Sequence, residues 1–420
     1  MKYSCFNFQF SYKGIPGVFN TLTGSIVLFD NQDENIFLKK IGELSSESIK
    51  KYKSLGLIIE DNLDERKALL DIRKRKLKRE PKPYFRVFTT YGCNANCFYC
   101  FEKKDNSCYM NEETAKAVAN FICDHSNNKK VNISWFGGEP LLNYKIITFI
   151  CRLLKGSNLP FDSAIVTNGS LVTEEIAKLA IDEWNLKTAQ ITLDGFGDEH
   201  NKRKAYAEGF DGFQKTIDSI HLLAQNGIKV TIRLNINDSN IASINRLIDF
   251  LKEEFGGEAN VNCYSHFLFE NNFYNSKNNS HLQPYEINKR LIQCGFLNKD
   301  YQFNFLKQRT GMCGFCGNDH YCIEPDGSLL KCPDDVTSRY GSIFNEEIDK
   351  DMYEKWIATE LDEKCEECIF EPLCQGGCRC AHFHGFAHTC EVDEALILAG
   401  LNDFIDQNNE KGKMKETNDK

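Results

Sequence analysis

Three cysteines fall close together in "YGCNANCFYC": Cys93, Cys97 and Cys100, spaced C-x3-C-x2-C. Thiolates favour zinc or iron–sulfur clusters. Three thiolates on a four-iron cube would leave one iron open to a substrate or cofactor, as a catalytic metal keeps one position free. A structural zinc site would need a fourth cysteine from elsewhere. Cysteines are plentiful: there are 19, and ten of them (Cys313, Cys316, Cys322, Cys332, Cys365, Cys368, Cys374, Cys378, Cys380 and Cys390) crowd the last quarter of the chain. In a reducing compartment such cysteines read as metal ligands rather than disulfides. Six others, Cys5, Cys108, Cys123, Cys151, Cys263 and Cys294, stand alone and read as small buried hydrophobes. A second chemical signal is "FGGEP" (136–140), where two glycines allow close backbone approach and Glu139 can meet an ammonium group.

The surrounding sequence must place these groups. From residue 84 short β-branched runs, "YFRVFTT", "VNISWFG", "SAIVTN", "AQITLDG", "KVTIRLNI" and "ANVNCYSHF", alternate with helix-like stretches. Asn111 and Thr173 stand at N-cap positions, and Gly227 closes a helix. Six β/α alternations predict an α/β fold with a parallel sheet wrapped by helices, a partial (β/α)6 TIM-like barrel. Active sites on such sheets lie at the strand C-terminal ends. The three-cysteine loop follows the first strand, and "GGEP" follows the second, so both belong to that end.

Around the barrel (81–268) the chain divides into a small α+β unit at 1–80, a polar bridging segment at 269–312, a cysteine-rich domain at 313–405 and a disordered tail at 406–420. In the first unit "NIFLKKIG" and "SSESIKKYKSLG" read as short helices, and "DERKALLDIRKRKLKRE" as a basic helix ended by Pro81. The net charge of −9 argues against a nucleic-acid partner. No signal peptide or membrane-spanning run is read, which predicts a cytoplasmic protein without a membrane partner.

Together these motifs resemble the radical S-adenosylmethionine (radical SAM) superfamily over about residues 84–267. The resemblance implies that Cys93, Cys97 and Cys100 hold a [4Fe-4S] cluster whose open iron chelates SAM. It implies that Tyr99 meets the adenine and that Gly137, Gly138, Glu139 and Pro140 hold the SAM ammonium. Asn168 of "VTNG" matches the ribose-side motif. "ITLDG…EHNKRK" (191–204) resembles the family's S-L-D-G…H-D-x-x-R stretch and brings in Thr192, Asp194, Arg203 and Lys204. Thr192 replaces the usual Ser; Lys204 stands where Arg is common, with Arg203 one position early.

The downstream cysteines resemble the SPASM extension of radical SAM enzymes, which carries two auxiliary [4Fe-4S] clusters. By that resemblance Cys316, Cys322, Cys332 and Cys378 hold the first, and Cys365, Cys368, Cys374 and Cys390 the second. Cys313 and Cys380 compete for places in these sets. Related sulfatase-maturating enzymes carry an Asp base directly after the equivalent of Cys332. Here Pro333 stands there, which moves the candidate base to Asp334 or Asp335.

The resulting expectation is a peptide maturase. It would use a 5′-deoxyadenosyl radical to install a cross-link, a Cys thioether, in a ribosomally made precursor peptide. The N-terminal unit would bind the leader by strand addition, and a flavodoxin or ferredoxin would supply electrons. The alternatives are a formylglycine-forming anaerobic sulfatase-maturating enzyme and a non-enzymatic metal-binding module.

Overall fold

The computed structural model describes residues 1–29, 39–77, 83–100, 102, 108–268, 282–309, 313, 319–335, 337–345, 348–358, 363–385, 390 and 392–410. At the N-terminus β1 (Lys2–Tyr3) pairs antiparallel with β5 (Ile58–Ile59), while β2 (Asn7–Tyr12), β3 (Ile15–Asn20) and β4 (Ile26–Leu28) form a separate antiparallel sheet in that order. Ser45 caps helix Ser46–Ser54, accepting from the Ser48 amide, and the basic helix spans Glu65–Leu77. Of the expected helix in "NIFLKKIG" (35–42), residues 35–38 lie outside the described ones, and its last two residues open a 3-10 turn at Ile41–Glu43.

The six barrel strands form as the alternation predicts. They are β6 (Tyr84–Phe88), β7 (Val131–Phe136), β8 (Phe161–Thr167), β9 (Leu186–Leu193), β10 (Lys229–Ile236) and β11 (Val261–Phe267), all parallel and paired in chain order. Asn111, Thr173 and Asp211 cap three of the intervening helices by accepting backbone N–H groups, which satisfies donors the helix cannot use itself. Along each strand one set of side chains faces the helices. Phe85 and Val87 of β6 and Val230, Ile232 and Leu234 of β10 join the main core with Trp135 and Trp184. The alternate set, including Arg86, Thr192, Arg233 and Asn235, faces the concave side, because strand side chains alternate.

The sheet does not stop at six strands. β12 (His320–Ile323) runs parallel to β6, pairing Cys322 with Arg86, and β13 (Ser328–Leu330) and β14 (Arg339–Ser342) continue it antiparallel into nine strands. The cysteine-rich domain is therefore grafted onto the barrel sheet. Nor is the N-terminal unit separate. Phe8, Phe10 and Tyr12, the buried face of β2, share a core with Leu373, Cys374, Ile397, Leu401 and Ile405. Buried Arg73 pairs with buried Glu371. The final helix, Glu394–Glu410, runs past the expected boundary at 405, so residues 406–410 are helical and not a disordered tail. Among the described residues no helix is long and apolar enough to cross a membrane.

Candidate active site

The loop after β6 carries Cys93, Cys97 and Cys100 and is fixed by backbone bonds on several sides. The Gly138 amide donates to Thr90 O (3.0 Å), the Glu139 amide to Gly92 O (2.8 Å), and the Asn96 amide to Lys204 O (2.7 Å). These contacts explain the glycine pair. A Cβ on Gly137 would lie 2.2 Å from Thr90 O, and one on Gly138 would lie 2.4 Å from Gly92 O. The glycines let the second strand end close against the cysteine loop itself.

Glu139 is fully buried. Its carboxylate accepts from Thr167 Oγ1 (2.7 Å), the Asn168 amide (2.8 Å) and the Leu141 amide (3.1 Å), and burial raises its pKa. Asn168 donates to Asn94 Oδ1 (2.8 Å) and accepts from Ser170, while Asn94 donates to Ser170 Oγ (2.9 Å). The end of β8 is thereby tied to the cysteine loop.

On the opposite wall is a buried charged network. Lys204 Nζ donates to Thr192 Oγ1 (2.6 Å) and Tyr99 OH (3.2 Å) and lies 3.6 Å from Asp194 Oδ2. Tyr99 OH also donates to Asp194, and Asn235 Nδ2 donates to Asp194 Oδ1 (3.0 Å). Burial opposes the charge on Asp194, but Lys204 and His200, with the bonds from Tyr99 and Asn235, outweigh it and hold the carboxyl below its ordinary range. Burial likewise opposes the charge on Lys204; Asp194, Cys97 and Cys93 overcome it and raise its pKa. Arg203 turns away, its guanidinium donating to Ser239 Oγ (3.1 Å) and Asn237 Oδ1 (3.3 Å) and lying over Phe98. Of the two basic candidates, Lys204 is the one directed into the site.

Sequence reasoning missed Asn235, Asn94, Ser170 and His200. Asn235 was signalled by its place at the concave-facing end of β10. His200 lies within a quoted motif and accepts the Asp194 amide at Nδ1 (3.2 Å).

The two acids after Cys332 have opposite surroundings. Asp335 is buried, its carboxylate engaged by Thr337 and His384. Asp334 is solvent-accessible, yet enough protein surrounds it that desolvation raises its pKa against Arg86 and Arg233. Its charged neighbours Arg86 and Arg233 face the concave side of β6 and β10, so the carboxyl stands toward that side of the sheet.

The cysteine donor sets fit metal centres to the extent the described residues reach. Cys93, Cys97 and Cys100 are half-buried and form no disulfide. Burial, then the Glu139 carboxylate, push Cys93 up to about 12, so a thiolate there calls for a cationic partner. Burial first, and then a neighbouring thiol, raise the pKa of Cys322 and of Cys378: Cys332 acts on both, and Cys313 also on Cys378. Cys316 lies outside the described residues. Cys365 and Cys374 are buried on two successive one-turn helices, Cys368 is half-buried in the turn between them, and Cys390 is exposed. Among the isolated cysteines, Cys151 and Cys263 are buried as expected and Cys5 is exposed.

This sheet and loop define a radical SAM domain: residues 87–251 match the family described as "Radical SAM superfamily". The chain is 24% identical over 400 residues (86% of this chain, 82% of the relative) to the radical SAM cyclopropyl synthase TigE of Paramaledivibacter caminithermalis. It is also 24% identical to a cysteine-type anaerobic sulfatase-maturating enzyme of Clostridium perfringens, over 69% of this chain and 86% of that one. Among solved structures, native anSMEcpe with bound AdoMet superposes with a TM-score of 0.59 at 19% identity, covering 80% of this chain and 100% of that one. Streptococcus suis SuiB bound to precursor peptide SuiA gives 0.53 at 15% identity, covering 90% and 95%. The chain is a radical SAM enzyme related to SPASM-type and sulfatase maturases, and SAM and [4Fe-4S] chemistry are its cofactor class.

Proposed function

We propose that this enzyme is a radical SAM/SPASM maturase that cross-links a ribosomally made precursor peptide, forming a Cys thioether. In this reading Cys93, Cys97 and Cys100 hold the SAM-binding cluster. Glu139, Asn168 and the Lys204–Asp194–Tyr99 network surround the bound SAM, with Lys204 toward its carboxylate. Cys322, Cys332 and Cys378 with Cys316, and Cys365, Cys368 and Cys374 with Cys390, hold the auxiliary clusters. When bound, these cofactors supply a 5′-deoxyadenosyl radical and an acceptor for the electron released afterwards.

The chain's own residues do the rest. Replacing a peptide C–H and a thiol S–H by a C–S bond removes two hydrogens from the substrate. One leaves as an atom to the 5′-deoxyadenosyl carbon; the other leaves as a proton, with one electron passing to an auxiliary cluster. In this reading Asp334 takes the proton, which its carboxyl, held above the ordinary carboxylate range by desolvation, supports.

The observation that carries the peptide reading is the N-terminal sheet. Among the described residues β2 pairs only with β3, which leaves an edge for strand addition by an extended leader. One structural neighbour agrees with such a substrate: SuiB is bound to a precursor peptide. Pro333 directly after Cys332 weighs against formylglycine formation.

The test is anaerobic co-expression with Cys-bearing short reading frames found beside the gene. A product lighter by two hydrogens, with one thiol blocked to alkylation, is expected. Conversion of Cys or Ser to an aldehyde in a sulfatase-motif peptide, with no change in such precursors, would replace this reading by the sulfatase one.

A further inference from the structure

One cluster of metal-binding side chains contains none of the eleven cysteines given to the three clusters, although Cys380 competes for a place among them. Asp335, Cys380 and His384 each bring one donor atom within 4.8 Å of the other two. Cys380 and His384 are four residues apart on the short helix Arg379–Phe383 and its C-cap, a spacing that places both on one face. Asp335 comes from the turn after Cys332. Asp335 and Cys380 are buried, and His384 is partly exposed. The Asp335 carboxylate is fixed in place: Oδ1 accepts from the Thr337 amide (2.9 Å) and hydroxyl (2.7 Å), while Oδ2 meets His384 Nε2 at 2.5 Å. Trp356 and Phe383 pack beside Cys380 and exclude water from that side.

We propose that Asp335, Cys380 and His384 bind a single divalent cation of the zinc or ferrous class, separate from the iron–sulfur clusters. A donor set of one sulfur, one nitrogen and one oxygen is borderline in softness and suits those ions. With metal–ligand bonds of about 2.0–2.3 Å, tetrahedral ligand atoms stand roughly 3.3–3.8 Å apart. Donors already inside 4.8 Å need only a small adjustment to share one ion. Charge also balances: a carboxylate, a thiolate and a neutral imidazole carry two negative charges, which the dication cancels inside the protein. The Cys380 thiol proton is released to solvent on binding. Three protein ligands leave a fourth position open, reached past the partly exposed His384.

The thiol of Cys380 also meets that of Cys332, so the rival assignment gives Cys380 to the first auxiliary cluster. The two are separable by analysis of the anaerobic holoenzyme for zinc, iron and acid-labile sulfide, with zinc- and iron-edge X-ray absorption. The expected result is one zinc per chain, or one iron in excess of labile sulfide, with one sulfur and otherwise nitrogen and oxygen neighbours. Cys380→Ala and His384→Ala should each remove that ion and leave iron–sulfur content unchanged. Wild-type protein without zinc and with iron equal to sulfide overturns the proposal. So does a Cys380→Ala variant that loses a whole cluster's iron and sulfide. The absorption measurement on unmodified protein decides the matter even where a variant fails to fold. Failure of the cluster assignments themselves would appear separately, as a low cluster iron count in wild-type protein.

Discussion

At the barrel mouth three cysteines share one loop, held by backbone bonds from the "GGEP" turn and from Lys204. In the C-terminal region the cysteines are collected from a strand of the barrel sheet, a turn and a run of one-turn helices. The cores supporting them also draw in the N-terminal sheet. The first region depends on local geometry, and the second on contacts between residues hundreds of positions apart. A substitution in the loop should therefore act on chemistry, whereas one in the module should act on stability as well.

The sharpest division comes from replacing Cys93, Cys97 and Cys100 together by Ala. 5′-Deoxyadenosine formation should fall to background. Of about twelve irons in the three-cluster enzyme, roughly eight should remain in the module. Retained SAM cleavage, or loss of all iron, would erase the contrast between the regions.

Next in size is Asp334→Asn. Loss of a general base costs about 10²–10⁴-fold in product formation, while SAM cleavage should persist and become uncoupled from peptide modification. Quantifying 5′-deoxyadenosine and modified peptide in the same reaction checks this; an equal fall in both would move Asp334 from proton transfer to SAM binding.

Arg73→Ala breaks the buried pair with Glu371. Leaving one charge uncompensated costs about 3–5 kcal/mol, read as a lower unfolding midpoint in denaturant. The loop's bond network should be untouched, so SAM cleavage per folded molecule should be unchanged.

The smallest effect is pH-dependent. Burial, opposed by Asp194 and reinforced by Lys204, lowers the pKa of His200 to about 3. The unfolded chain takes up this proton below about 6.5 while the folded chain does not, so stability falls as pH drops through that window. By pH 5 the loss amounts to about 2 kcal/mol. His200→Gln, which can still accept the Asp194 amide, should flatten the slope. The check is the difference between wild-type and variant unfolding free energies at pH 7 and 5.

Much of the barrel was legible because period-two apolar runs and helix caps are local signals. The strands at 84–88 and 229–236 and the caps at Asn111 and Thr173 follow from a few adjacent residues each. The loop and "GGEP" were legible for the same reason. β12 was not. "HYCI" followed by "PDG" and "SLL" carries a hairpin signal, but its cysteine drew attention as a ligand, and nothing in the sequence says that it pairs with β6. The shared core of β2 with Leu373 and Ile397 was hidden likewise, since each segment shows only that it has an apolar face to bury. The choice between Asp334 and Asp335, and between Arg203 and Lys204, needed side-chain direction, which adjacent positions in a sequence do not distinguish.

The pairing of β12 with β6 also decides how the molecule can be divided. A fragment ending at residue 268 looks like a complete barrel by strand count. It would uncover the β6 edge, whose "YFRVF" backbone groups and apolar side chains form a template for another chain. Such a fragment should aggregate when expressed alone. The smallest soluble piece containing the barrel must extend through β14, so neither gene trimming nor domain exchange can treat the SAM-binding half as a free-standing part.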